Sequence, residues 1–230
     1  MTETDHIKRL LSECNPDQRQ EILRYLRTEF PIHPLEAQLN AKAEVILEPI
    51  QRGGILTLRM IRGVIAEAAF GVDVVKNLSG WTDITPPGDL PYDFLLDDGA
   101  GAVRVQVKLQ RSLAHRPMLA KEAYRFLPGD MYVVETQKTR RGSDRTTGSS
   151  TCPYRFGEFD LLAVSMQPST NLWDRFMYTV ADWLLPSRTN PSEILKFQPV
   201  ATAINDDWTD DFRTAVAWLR AGVRKTIRSS

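Results

Sequence analysis

Cysteine and histidine are scarce in this chain of 230 residues, which contains two cysteines and three histidines. Cys14 and Cys152 form no spaced pair, and no histidines cluster around either of them. The histidines are scattered along the chain, so the sequence predicts neither a zinc site nor a catalytic triad. Such sparse cysteine favours a protein of the reducing cytoplasm.

Long apolar runs and nucleotide-binding loops are also missing. No stretch approaches the roughly eighteen uncharged apolar residues of a membrane-spanning helix, so no membrane span is predicted. The chain opens with MTETDHIKRL, which carries charge where a secretory signal requires an apolar run. The phosphate-binding patterns GxxxxGKS and GxxxxGKT are absent, which excludes an ATPase of the P-loop class.

The chain has no net charge, because 29 basic residues balance 29 acidic ones. Between residues 104 and 145, however, ten Lys or Arg residues stand against four acidic residues. A protein that binds DNA with one face needs cations only where it touches phosphates, so this local excess favours a nucleic-acid partner. The alternative is a solvated loop with scattered charges.

The composition predicts one well-filled domain with an appendage. The hydrophobic share of 42% and the charged share of 25% are typical of a globular protein. We expect a helical N-terminal region over residues 1–54 and an α/β domain over residues 55–230. Helices are predicted for residues 3–13, 16–29, 35–51, 118–126 and 209–227, the last capped by Thr209, and strands for residues 92–97, 103–110, 131–137 and 158–166.

One aromatic segment, residues 172–186, has large apolar side chains at helix-like intervals. They are Trp173, Phe176, Met177, Val180 and Trp183. We expect this segment to lie in the core or at a subunit interface. A surface that stacks on nucleic-acid bases is the less favoured alternative.

Residues 92–111 form the most informative segment of the chain. A mostly apolar arm is followed by the turn-forming sequence DDGAG and then by a second arm. In the second arm, Val and Leu at odd positions alternate with Arg104, Gln106, Lys108 and Gln110, so one face is apolar and the other polar. The pattern predicts a β-hairpin in which Gln106 and Lys108 point the same way. An exposed polar face is the simple alternative explanation.

Asp93, Gln106 and Lys108 are the candidate functional residues of this hairpin. Asp93 precedes Gln106 by thirteen positions, which a hairpin with a five-residue turn can place on adjoining strands. A carboxylate, an amide oxygen and a backbone carbonyl suit a hard divalent cation such as Mg²⁺. The ammonium of Lys108 can orient or deprotonate a water and stabilise the charge of a phosphoryl transition state. Together these groups indicate phosphodiester hydrolysis.

Over residues 60–111 the chain resembles the PD-(D/E)XK nuclease superfamily, with a weaker resemblance over residues 132–166. The pattern of that superfamily is an Asp after a proline, then an acid, any residue and a lysine on the next strand. Here it stands as PYD at 91–93 and QVK at 106–108. One residue is inserted between the proline and the Asp, and Gln106 replaces the second acid, which gives the less frequent QxK variant.

The resemblance implies an α/β restriction-endonuclease-like core, a central mixed sheet flanked by helices, that hydrolyses DNA with Mg²⁺. It implies Asp93 as the principal metal ligand, Gln106 as a second ligand or water holder, and Lys108 as the water-orienting or charge-stabilising group. A Glu on the helix before the first strand often supplies the missing charge, and Glu67 in RMIRGVIAEAAFGV stands at that place. The alternative for Glu67 is a solvated residue on an amphipathic helix.

Residues 138–157 form a long Ser-, Thr-, Gly- and Arg-rich loop between two predicted strands. Arg can bond guanine edges, and Ser, Thr and Lys suit phosphate oxygens, so we expect this loop to contact DNA. A flexible connector is the alternative. The residues expected to contact DNA are Arg104, Arg111, Lys138, Arg140, Arg141 and Arg145.

The preferred prediction is a type II restriction endonuclease that cuts both strands of a short specific site in double-stranded DNA. Because such sites are two-fold symmetric, we expect a homodimer in which residues 1–54 dimerise or embrace DNA. A homing or DNA-repair nuclease of the same superfamily is the second prediction, since fold and site do not separate the two. A DNA-binding module that lacks catalysis is the third; Gln106 favours it, whereas Asp93 and Lys108 argue against it.

Overall fold

The computed structural model describes residues 2–30, 34–138 and 153–228. The chain divides into two compact units, Met1–Ile61 and Arg62–Ser230. The division lies inside the helix Ile55–Ala69, whereas the sequence placed a domain boundary at residue 54. In the described ranges no helix is both long enough and apolar enough to cross a membrane.

The first unit is helical. Its helices are α1 (Glu3–Glu13), α2 (Pro16–Glu29), α3 (Pro34–Leu39), α4 (Ala43–Gln51) and the first part of α5 (Ile55–Ala69). The bounds predicted for α1 and α2 are confirmed, and the side chain of Asn15 caps α2 by accepting a hydrogen bond from the Gln18 backbone N at 2.9 Å. The single helix predicted over residues 35–51 is wrong, because Asn40 adopts a left-handed backbone conformation, with φ of 46°, between α3 and α4.

The second unit is built around a five-stranded sheet. After the end of α5, its elements are β1 (Thr82–Asp83), β2 (Phe94–Asp97), β3 (Val103–Leu109), β4 (Ser112–Leu113), β5 (Arg116–Pro117), α6 (Ala120–Ala123), β6 (Tyr132–Glu135), β7 (Leu161–Ser165), α7 (Gln167–Thr170), β8 (Phe176–Val180), β9 (Phe197–Val200) and α8 (Phe212–Arg220). The sheet order is β1-β2-β3-β7-β8, with β3 and β7 parallel and the other neighbours antiparallel. The predicted class, an α/β core with a central mixed sheet flanked by helices, is confirmed.

The hairpin of β2 and β3 forms as predicted. Phe94 pairs with Val105, so these side chains share one face of the sheet. On this face Phe94 packs against Phe70, which follows α5, with ring centroids 5.1 Å apart. The turn contains Gly99 and Gly101 with φ of 82° and 130°, which glycine adopts without the strain of a Cβ.

The polar side chains of β3 are on the opposite face of the sheet. The parallel register places Gln106 beside Leu162 and Lys108 beside Val164 on β7. Gln106 is 2% exposed. An exposed polar face is therefore the wrong explanation of the alternation in β3, because Gln106 lies in the interior, where a polar group must be compensated by hydrogen bonds.

Near the C-terminus, one apolar spacing does not correspond to a helix and one predicted helix needs correction. The aromatic segment 172–186 has helix-like spacing, yet it contains β8 followed by the 3₁₀ turn Ala181–Trp183. All five residues of β8 are buried, so both of its faces are apolar and the spacing does not discriminate between helix and strand. Its place in the core is confirmed. The closing helix is shorter than residues 209–227, because α8 begins after Asp211, which replaces the predicted cap Thr209, and ends at Arg220.

Three other predicted elements are present but shorter. The helix expected over residues 118–126 is the single turn α6, and the strands expected over 131–137 and 158–166 are β6 and β7. The strand β9, which pairs with β6, was not predicted. Sequence patterns fix the existence of an element more firmly than its ends.

Candidate active site

Asp93 lies immediately before β2, opposite Gln106 of β3. Its backbone N donates a hydrogen bond to the Val105 carbonyl oxygen at 3.0 Å. Its carboxylate oxygen Oδ2 accepts hydrogen bonds from the Val107 backbone N at 2.7 Å and from Gln106 Nε2. These contacts hold the carboxylate in one orientation, as the hairpin register predicts.

Two oxygens at this position are available to a ligand. Asp93 Oδ1 and Gln106 Oε1 accept no hydrogen bond from any residue that the structure describes. Both belong to side chains that are otherwise tied to backbone or to each other, because Gln106 Nε2 also donates to the Val107 carbonyl oxygen at 3.3 Å. A carboxylate oxygen and an amide oxygen are therefore presented together with little freedom to move.

Lys108 lies two residues beyond Gln106 on the same face of β3. Its ammonium forms neither a hydrogen bond nor an ion pair with the described residues. Burial lowers the pKa of Lys108, and the negative charges of Asp93, Glu67 and Glu135 oppose that shift. The site thus places an amine that has no hydrogen bond or ion pair among the described residues near the carboxyls of Asp93 and Glu67, where it can meet a phosphate.

Glu67 is an exposed residue on the last turn of α5, where Ala66 and Ala69 are buried against the core. Partial loss of hydration and then the charge of Asp93 raise the pKa of Glu67, while Lys108 lowers it. Burial raises the pKa of Asp93 as well, against Lys108 and the hydrogen bonds from Val107 and Gln106. The surroundings of both carboxyls therefore favour the protonated form more than water does.

The donor set fits a hard divalent cation. In the described parts of the chain no three His, Cys, Asp or Glu side chains converge as a metal-binding group. The site instead offers two carboxylates, Asp93 and Glu67, together with the open amide oxygen of Gln106. Mg²⁺ needs only one or two protein carboxylates, since it retains several waters, and its charge would offset the carboxylate charge that Lys108 leaves uncompensated.

The basic residues expected at DNA are placed as follows. Arg104 bonds to both carboxylate oxygens of Asp160, at 2.6 and 3.0 Å, and Arg111 pairs with Glu135 at 3.2 Å. Lys138 pairs with Glu158 at 2.6 Å. Much of the local positive charge is therefore neutralised within the protein, although each of these cations is partly exposed. Arg140, Arg141 and Arg145 lie outside the described residues, and their contact with DNA stays a prediction.

Tyr154 is a site residue that the sequence did not single out. It is 4% exposed, and its ring lies 5.2 Å from Lys108 Nζ and 5.3 Å from Lys138 Nζ. In the sequence it appears only as an aromatic residue at the end of the 138–157 loop. Its approach to β3 is a long-range contact, which neither the alternation of the hairpin nor a motif encodes.

Comparison with known proteins gives a distant structural likeness. No protein-family model and no curated protein matches the chain. Among solved structures, the chain is similar to a bacterial homing endonuclease, I-Ssp6803I, with 24% sequence identity and a TM-score of 0.37, over 74% of this chain and 96% of that one. A likeness of this extent establishes neither the activity nor the substrate of this chain.

Proposed function

We propose that this chain is a metal-dependent nuclease that hydrolyses phosphodiester bonds of double-stranded DNA. One observation carries the proposal. Asp93 and Gln106 are hydrogen-bonded to each other on the β2–β3 hairpin, and the side-chain nitrogen of Lys108, which has no ion pair among the described residues, lies on the same face of the sheet as Gln106. The burial of Gln106 and the partial burial of Asp93 and Lys108 disfavour folding, so such groups are expected where chemistry requires them.

Each of these residues has its own role in the proposed hydrolysis. Asp93, Gln106 and Glu67 would hold Mg²⁺, which would supply positive charge for the scissile phosphate and acidify a water for attack. Lys108 orients the attacking water or stabilises the negative charge that develops on the phosphoryl oxygens. Glu67 supplies the second negative charge, which Gln106 lacks. The hydrogen bonds from Val107 and Gln106 keep the Asp93 carboxylate in place during the reaction.

We propose a type II restriction endonuclease in particular. Arg140, Arg141 and Arg145 in the sequence of the 138–157 loop support a DNA substrate, and this loop is the proposed sequence-reading element. The chain carries no P-loop, so cleavage would need no ATP. A homodimer would place two such sites on the two strands of a symmetric recognition sequence.

A DNA-binding module without catalysis is the candidate of a different class, and the amide at Gln106 is the observation that favours it. Asp93 and Lys108 argue for retained catalysis, because a module that only binds DNA needs neither a partly buried carboxyl nor a partly buried amine at this position.

The proposal is tested by digestion of a DNA library that contains every short sequence, in Mg²⁺ and in EDTA, with sequencing of the ends produced. A restriction enzyme gives ends at one short site in Mg²⁺ alone. Ends at one long site would instead support a homing nuclease. Sequence-specific binding without cleavage in either Mg²⁺ or Mn²⁺ would overturn the proposed nuclease and favour the binding module.

A further inference from the structure

Tyr154 places its aromatic ring beside the side-chain nitrogen of Lys108. The distance from Lys108 Nζ to the ring centroid is 5.2 Å, within the roughly 6 Å over which a cation is attracted to an aromatic face. The described residues offer Lys108 no hydrogen bond and no ion pair. An ammonium on a flexible four-carbon stem would otherwise be free to turn toward the carboxylates of the site.

The ring of Tyr154 is itself held firmly. It packs edge-on against Phe159, with ring centroids 5.3 Å apart and planes at 87°. The Tyr154 carbonyl oxygen accepts a hydrogen bond from the Ile194 backbone N at 2.8 Å. A ring with these contacts and 4% exposure is a rigid platform, so a cation above it gains a defined position.

Lys138 provides an internal comparison. Its Nζ lies 5.3 Å from the same ring, but it is also bonded to Glu158 Oε1 at 2.6 Å. Loss of the ring would leave Lys138 anchored by Glu158, whereas Lys108 would lose its one positioning contact among the described residues. The ring therefore matters more to Lys108 than to Lys138.

We propose that Tyr154 is a positioning residue that holds the Lys108 ammonium toward the scissile phosphate by contact with its aromatic face. The proposal rests on the proposed nuclease function. The ring acts rather than the hydroxyl, because burial, with the charges of Asp93 and Glu158, raises the pKa of Tyr154 and keeps the phenol protonated. A protonated phenol in this setting is no general base.

The test compares Tyr154→Phe and Tyr154→Leu with wild type under single-turnover conditions at saturating enzyme. Tyr154→Leu should cleave about tenfold or more slowly with DNA affinity unchanged, and Tyr154→Phe should restore cleavage to within about threefold of wild type. Cleavage by Tyr154→Leu at the wild-type rate would overturn the proposal.

Tyr178→Leu is the matched control for the loss of a buried tyrosine. Tyr178 is 3% exposed and pairs with Ala163, which lies beside Val107, so it occupies the opposite face of the sheet from Lys108. The cleavage rate of Tyr178→Leu should be within about twofold of wild type when it is expressed per folded molecule. Near-UV circular dichroism measures the folded fraction. An equal rate loss in both Leu variants would show that Tyr154 is merely structural and would overturn the proposal.

A second measurement is independent of cleavage. Lysine amines are reductively methylated with ¹³C, and the Lys108 signal is assigned by its absence in Lys108→Ala. The aromatic ring should shift this signal in wild type and in Tyr154→Phe but not in Tyr154→Leu. If wild type cleaves no DNA, the proposed function fails while this spectrum still decides whether the ring holds Lys108. An identical Lys108 signal in all three proteins overturns the contact itself.

Discussion

The charge that Glu67 contributes can be removed with almost no change in shape by Glu67→Gln. If Asp93 and Glu67 share the metal, this variant leaves one carboxylate beside two amides, too little negative charge for a hard dication and its activated water. Cleavage should fall a hundredfold or more, a loss of about 2.7 kcal/mol in transition-state stabilisation. Higher Mg²⁺ or Mn²⁺ should restore part of the rate, because weak binding is offset by mass action.

Unfolding does not explain such a loss, and the direction of the pKa shift shows why. Partial burial and the charge of Asp93 raise the pKa of Glu67 in the folded protein. The stability linked to this carboxyl is therefore fully present below its unfolded pKa and is lost as the pH rises through its folded pKa. At neutral pH the charge of Glu67 disfavours the folded state, so Glu67→Gln should melt no lower than wild type without metal.

The assay is single-turnover cleavage across a Mg²⁺ titration, with the melting temperature measured in parallel. Asp73→Asn is the matched control, because Asp73 is an exposed acid on the π-helical turn Phe70–Val74 that follows α5. It should cleave like wild type at every Mg²⁺ concentration. A fully active Glu67→Gln enzyme at low Mg²⁺ would refute the shared-charge account and remove Glu67 from the site.

Three further predictions concern the site, the loop and the fold. Because the pKa values of Glu67 and Asp93 are raised, protons compete with the metal for these carboxylates. The affinity for Ca²⁺, measured by calorimetry, should therefore strengthen as the pH rises through the mildly acidic range, and a flat profile would contradict the ligand assignment. Neutralising Arg140 and Arg141 should weaken DNA binding and reduce the salt slope by about 1 for each lost phosphate contact, whereas an unchanged slope would make the loop a mere connector. Asp211→Ala should lower the free energy of unfolding, measured in urea, by about 1 kcal/mol, because the Asp211 carboxylate caps α8 by accepting a hydrogen bond from the Thr214 backbone N at 2.8 Å. An unchanged urea midpoint would show that this cap contributes little to stability.

The hairpin was predictable because its information is local. Alternation with a period of two fixes which side chains of β3 share a face, and the turn sequence fixes how Asp93 meets Gln106. The same local logic placed Glu67 on the helix before the first strand of the hairpin. Its interaction with Asp93 then depends on how α5 packs, which the buried Ala66 and Ala69 permit.

The remainder depends on contacts between distant parts of the chain. Arg104 forms an ion pair with Asp160 on the approach to β7, and no local pattern links these two residues. Its expected contact with DNA stays a prediction. The contact between Tyr154 and Lys108 likewise joins residues that are far apart in the sequence. The helix-like spacing over residues 172–186 misleads for a different reason, since a fully buried strand shows no alternation and its apolar spacing equally suits a helix.

Lys108→Ala tests the central claim most directly, because it removes the cation and leaves Asp93, Gln106 and Glu67 in place. DNA binding is measured in Ca²⁺ and cleavage in Mg²⁺, with the same DNA and the same protein preparation. The account predicts that cleavage is abolished while affinity changes little, since one charge matters less to an interface of many contacts than to the reacting phosphate. A variant that keeps more than about a tenth of the wild-type rate, a loss of under roughly 1.4 kcal/mol, would contradict the assignment of Lys108 to catalysis.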